Sequence, residues 1–307
     1  MKQITFTPIE EKTLNDKLAN LYGSHLVELY TEMERIYNDD QYPIKPAAPL
    51  LIELEEYPDG HYPYEEADIR VMICGRENNN WNDNGKRGNR KDASIYTEYG
   101  TCNFHLQTSE DILAEIRGKH TDADGNELSN PEEHRYGLTD LYIEYLYGRN
   151  EKTGERELDG KTPFTLWGYN FIDTLQARLG TKRMEFVWNN LSKIGNGAKG
   201  RGKCCAVPQD YIRDMEKQHF DVFQKELEIL KPDVIIFTFL GKDNLIMDKF
   251  GLQPSQFSLV DENLPNLHRV DIPGVKYAAR TIHPARKSND ELSAYNNVLI
   301  DDILKHI

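Results

Sequence analysis

Val71-Met72-Ile73-Cys74-Gly75-Arg76-Glu77-Asn78-Asn79-Asn80-Trp81 passes from four apolar residues through a glycine into five polar ones. A short apolar run closed by glycine reads as a buried strand. The polar set beyond it would lie in the loop after the strand's carboxyl end, where open α/β sheets bind ligands. A carboxylate, three amides and an indole there suit a flat ligand rich in hydrogen-bonding groups. Taken singly, the stretch also fits an ordinary solvated loop.

Three further apolar runs repeat the pattern. Met184 to Trp188 leads into Asn189-Asn190-Leu191-Ser192-Lys193, Val234 to Leu240 closes at Gly241, and Tyr277 to Ile282 closes at His283-Pro284. The continuous Val234–Leu240 run implies a strand buried on both faces, as in a parallel sheet covered by helices. Helical spacing marks Leu14 to Ile36, Leu138 to Tyr147, Phe164 to Leu179, Met215 to Leu230, 242–250 and a last helix capped by Ser288. Thr7-Pro8-Ile9-Glu10 supplies a capping box for the first, with Gly23 as a candidate break. The stretch 257–275 reads as irregular. The expected fold is α/β, a three-layer α/β/α sandwich around a mainly parallel four-stranded sheet. An N-terminal helix and connector (1–68) would pack on a core of 69–307, with an insertion at about 82–162 decorating the ligand-binding edge.

Composition narrows the function. The 307 residues are 38% hydrophobic and 29% charged, as in a folded globular protein. No signal peptide or membrane-length apolar run is evident, and the four cysteines form no C-x-x-C pair, which points to a reducing, cytoplasmic setting. No H-E-x-x-H or His/Cys cluster predicts a metal, and no cofactor is expected. Asp122-Ala-Asp-Gly-Asn126 has its glycine too early for an EF-hand loop and reads as a turn. Gly197 to Lys203 fits G-x-x-x-x-G-K, but Cys204, Cys205 and Pro208 follow where a P-loop needs a hydroxyl and a helix.

A formal charge of −14 argues against nucleic acid, but its distribution does not. Segments 85–91, 193–203 and 280–287 carry Lys86, Arg87, Arg90, Lys91, Lys193, Lys199, Arg201, Lys203, Arg280, Arg286 and Lys287 without one acid. Brought together they would form a basic face for phosphates on an acidic body. Apart, they are three solvated loops.

Gly75-Arg-Glu-Asn78, Asn189-Asn-Leu-Ser-Lys193, Glu226-Leu-Glu-Ile-Leu-Lys-Pro232 before a strand ending at Gly241, and His283-Pro-Ala-Arg286 stand in chain order. This set resembles the uracil-DNA glycosylase superfamily over roughly 70–80 and 165–305. The resemblance implies hydrolysis of the N-glycosidic bond of uracil or a related base flipped out of single- or double-stranded DNA. It assigns Glu77 to water or the sugar cation and His283 to the developing oxyanion. Asn190, with Asn78, would read the base edge, and Trp81, or else Phe104, would stack on it. Lys193, Lys199, Arg201 and Arg286 would hold phosphates. G-R-E-N departs from the best-known versions of the first motif, and the cysteines of the iron–sulfur branch are missing. The alternative is an inactive member of the fold that binds nucleic acid, or a protein partner through the acidic body.

Overall fold

The computed structural model describes residues 4–57, 60–76, 104, 106–118, 137–147, 163–196, 208–239, 243–285 and 287–307. Contacts divide the chain into two compact units. The first combines Met1–Glu53, Glu77–Tyr145 and Ser192–Ile229, and the second Leu54–Arg76, Leu146–Leu191 and Leu230–Ile307.

The first unit is helical. Helix α1 (Leu14–Asn38) starts one capping box later than the sequence suggests. Thr13 caps the Asp16 amide, and Asp16 returns a bond to the Thr13 amide. Residues 4–12 instead fold back, and the Phe6 ring lies so close to Gly23 that an added Cβ would stand 2.5 Å from it. Gly23 is therefore a seat for an aromatic ring and not a helix break. Within the stretch expected as an insertion, α3 (Ser109–Arg117) has its own Thr108–Asp111 capping box, and Thr139 at the start of α4 (Leu138–Tyr147) donates to the Ile116 carbonyl. Tyr30 reaches Glu115 at 2.7 Å, joining α1 to α3. The single helix expected over Met215–Leu230 is two, α6 (Asp210–His219) and α7 (Phe223–Leu230). Phe220 leaves helical geometry between them and stacks its buried ring against Tyr22.

The second unit holds the sheet. It is mixed and six-stranded, ordered β2-β1-β3-β6-β5-β4, where four strands were expected. The four are present and parallel: β1 (Ile69–Gly75), β2 (Met184–Asn190), β3 (Val234–Thr238) and β6 (Tyr277–Thr281). The stretch expected to be irregular adds β4 (Phe257–Leu259) and β5 (His268–Val270), both antiparallel, on the β6 edge. Every residue of β3 and β6 is buried.

Helices contact both faces. On one, Gly168 of α5 (Pro163–Leu179) lets the helix approach Ile73 and Phe186, and the Tyr277 hydroxyl donates to Asp302 of α9 (Asn289–Ile303) at 2.9 Å. Ser288 caps α9 by accepting from the Glu291 amide, as the sequence predicts. On the other face, α8 (Asp243–Phe250) sets Phe250 against Phe237 and Asp243 against Arg280. The short α2 (Pro63–Glu66) precedes β1. Among the described residues no helix is long and apolar enough to cross a membrane.

Candidate functional site at the carboxyl edge of the sheet

Parallel strands deliver their following loops to one edge, so Gly75, Asn190, Thr238 and Thr281 end side by side in the second unit. Gly75 pairs with Asn190 across β1 and β2, and Thr238 with Thr281 across β3 and β6. The Leu191 amide donates to the Gly75 carbonyl at 3.1 Å, carrying the ladder one residue past the strand. Thr238 Oγ1 donates to the Cys74 carbonyl at 3.0 Å and ties the end of β3 to β1.

Asn190 is 1% exposed. A buried amide with both donor and acceptor capacity must be held by its surroundings. Asn189 Oδ1 accepts from the Asn190 backbone amide at 2.8 Å, fixing the two side chains on opposite faces. The Asn190 side chain then lies over the backbone of Gly75, where an added Cβ would meet Oδ1 at 2.4 Å. Gly75 is thus required by close approach, which explains why a glycine ends this strand.

His283 lies two residues past β6, in front of Pro284. Its Nδ1 accepts the Ala285 amide at 3.0 Å, so the neutral ring carries its proton on Nε2 and presents a donor. The residue is exposed on the surface, and its pKa is lowered first by desolvation of the part of the imidazole turned inward. The second cause is the positive charge of Arg76. Both favour the neutral donor.

Not every sequence-predicted residue comes to this edge. Lys193, read as a phosphate contact, has no exposed surface, and its Nζ lies 2.7 Å from the equally buried Glu226 Oε1. That carboxylate also accepts from Tyr22 at 2.7 Å. Glu216 holds the turn itself, accepting from the Lys193 amide at 2.8 Å and from the Ser192 hydroxyl at 2.6 Å. A buried ammonium locked to a carboxylate cannot serve a surface phosphate, so Lys193 has an internal role. Arg280, another member of the expected basic face, is 5% exposed and points to Asp243 and His268. Phe104 packs edge-on to Tyr30 and tilted against Tyr37 in the first unit. Glu77, Asn78, Trp81, Lys199, Arg201 and Arg286 lie outside the described residues.

Arg76 had been quoted in the first motif without a role; the structure adds it as the charge acting on His283. Among the described residues no group of three or more His, Cys, Asp or Glu gathers to hold a metal. No protein-family model matches the chain, and no curated protein does either.

Proposed function

We propose that the chain is a DNA glycosylase-like protein that hydrolyses the N-glycosidic bond of uracil or a related base flipped out of DNA. The observation that carries this reading is that Asn190 and His283 both stand at the carboxyl ends of parallel strands of one sheet, at β2 and just past β6. Asn190 offers a buried amide held against Gly75, and His283 offers a neutral Nε2–H donor fixed by the Ala285 amide. Four quoted motifs falling in family order along parallel strands support it, as does an α/β architecture with helices touching both sheet faces.

Breaking the bond leaves negative charge on the base and positive charge on the sugar. A donor aimed at the base carbonyl lowers that barrier because its strength grows as charge develops. A neutral imidazole with its proton on Nε2 can still donate this hydrogen bond. Glu77 would orient the water, and Trp81 and Asn78 would complete the base pocket. Lys199, Arg201 and Arg286 would take flanking phosphates, without Lys193.

A base-release assay tests the reading. Oligonucleotides, single- and double-stranded, would carry uracil, hypoxanthine, xanthine or a hydroxymethylated pyrimidine, and alkali would reveal abasic sites. Release by wild type that is lost in Glu77→Gln and His283→Ala supports the proposal. Absence of release from every substrate, with salt-sensitive DNA binding intact, replaces it with a non-catalytic binding protein.

A further inference from the structure

The sheet face that receives α8 carries a charged cluster which base recognition leaves unused. His268 opens β5 and stands directly across from Arg280, one residue before the end of β6. Residues opposed in this way put their side chains on one face. There the buried guanidinium spreads its donors over three segments. Nη1 donates to the Asn266 carbonyl at 2.8 Å. Nη2 donates to Asp243 Oδ2 at 3.2 Å and meets His268 Nδ1 at 2.9 Å, while Nε lies 3.0 Å from Asp243 Oδ1. An arginine only donates, so Nδ1 accepts and the neutral ring keeps its proton on Nε2.

We propose that Arg280 and His268 form a pH-responsive clamp on the start of α8: the neutral imidazole steadies the guanidinium on Asp243, and protonation of the ring releases it. Asp243 is the first residue of α8, the helix that follows the loop leaving β3. The clamp therefore sets where that helix begins at the carboxyl edge of the sheet. The clamp itself is independent of base chemistry. Its regulation of base release rests on the glycosylase reading.

Protonation changes two contacts at once. Nδ1 turns from acceptor to donor, and one Nη2 hydrogen loses its partner. A second cation then stands within hydrogen-bond distance of the first, where partial burial leaves less water to screen them. Asp243 becomes the one carboxylate for which imidazolium and guanidinium compete. Among the described residues, the charged groups that face the ring are Arg280 from β6 and Asp243 from α8. β4 opposes it with Leu259, which does not ionise, and Arg269 of its own strand is bound to Asp302. The Asn266 carbonyl keeps its bond from Nη1, so the loss falls on the α8 side. Burial first, and Arg280 next, lower the pKa of His268, with Asp243 opposing them. The clamp thus holds at the ordinary histidine value of about 6.5 and opens as pH falls below it.

Histidine NMR and amide hydrogen exchange on the full chain test the clamp, in wild type, His268→Gln and Arg280→Lys. Glutamine keeps an acceptor for Arg280 but cannot titrate. In wild type, neutral His268 should show the Nε2–H tautomer. The amides of α8, corrected for intrinsic rates, should lose about tenfold in protection between about pH 7.5 and about pH 5. In His268→Gln the two levels should agree within about twofold, and Arg280→Lys, which lacks the forked donors, should show the lower level at both. An Nδ1–H tautomer overturns the proposal, as does a ring that stays neutral until the protein unfolds. So does a ring that titrates without a change in α8, or the same pH dependence in His268→Gln. If His268→Gln does not fold, the wild-type tautomer and exchange decide alone. Single-turnover base release in wild type should carry a pH step at the His268 midpoint that His268→Gln lacks; identical profiles overturn the regulation of release. If wild type releases no base, the glycosylase reading falls separately, and tautomer and exchange still decide the clamp.

Discussion

Replacing Lys193 by methionine removes one half of an ion pair that has no exposed surface on either side. Methionine keeps the stem's approximate volume, so the change is chiefly electrostatic. The Glu226 carboxylate would remain buried with the Tyr22 hydroxyl as a donor at 2.7 Å. Breaking a buried pair from one side costs about 3–5 kcal/mol, because the abandoned charge keeps its desolvation penalty. With a urea m-value of about 2–3 kcal/mol per molar, the unfolding midpoint should drop by about 1–2 M. The double variant Lys193→Met/Glu226→Leu should recover part of that loss, since apolar replacement of a whole buried pair is often neutral. It should stop about 1–3 kcal/mol short of wild type, because the Tyr22 hydroxyl loses its acceptor. Tyr22 also accepts the Ile52 amide at 3.0 Å, which limits what Tyr22→Phe can restore. Urea melts of the three variants, beside the salt dependence of DNA binding, decide the matter. A Lys193→Met protein as stable as wild type, with a weakened salt slope, would refute the buried-pair account and return Lys193 to phosphate binding.

Gly75→Ala should force the Asn190 amide off the strand, since the new Cβ would sit 2.4 Å from Oδ1. A stability loss of about 1–3 kcal/mol, with a larger loss of base release, is expected by melts and single-turnover rates; an unaffected rate would separate Asn190 from recognition. His283 and His268 both have lowered pKa values, through burial first and the neighbouring Arg76 or Arg280 next. The unfolded chain then takes up protons before the folded one, so stability is complete above the unfolded histidine value of about 6.5 and is lost as pH falls through the folded values. Urea midpoints should decline on acidification, and less steeply in His268→Gln/His283→Gln. Tyr22, Tyr64 and Tyr277 are raised, chiefly by burial. Their neutral forms stabilise the fold below about pH 10, and stability should fall above it as the unfolded tyrosines ionise; absorbance-monitored titration should show three tyrosines ionising only with unfolding.

The core of the fold is written plainly in four apolar runs, because strands buried on both faces admit little else. Their loops could be named from the residues that follow them, and the Ser288 cap fixed the last helix. The three-residue strands β4 and β5 were hidden because so short a run carries no periodicity. Their place beside β6 comes from pairing alone. The start of α1 was ambiguous because Thr7 and Thr13 both precede an acid three residues on, and the packing of Phe6 on Gly23 selects the second. Met215 to Leu230 kept helical spacing through a real break, since Phe220 serves the core from either geometry. Lys193 was misplaced because a basic, glycine-rich run looks solvated. Nothing local reveals that Glu216 and Glu226, on two later helices, take its amide and its ammonium. At the site, Asn190 and His283 were legible as strand-end residues.

The most direct test of the account is single-turnover release of uracil from a single-stranded oligonucleotide, compared between wild type, Asn190→Ala and His283→Ala. The account predicts release by wild type and a loss of about 10²-fold or more in each variant, with both proteins folded and still binding DNA. Release at wild-type rate from both variants would contradict it, because neither strand-end residue would then touch the base.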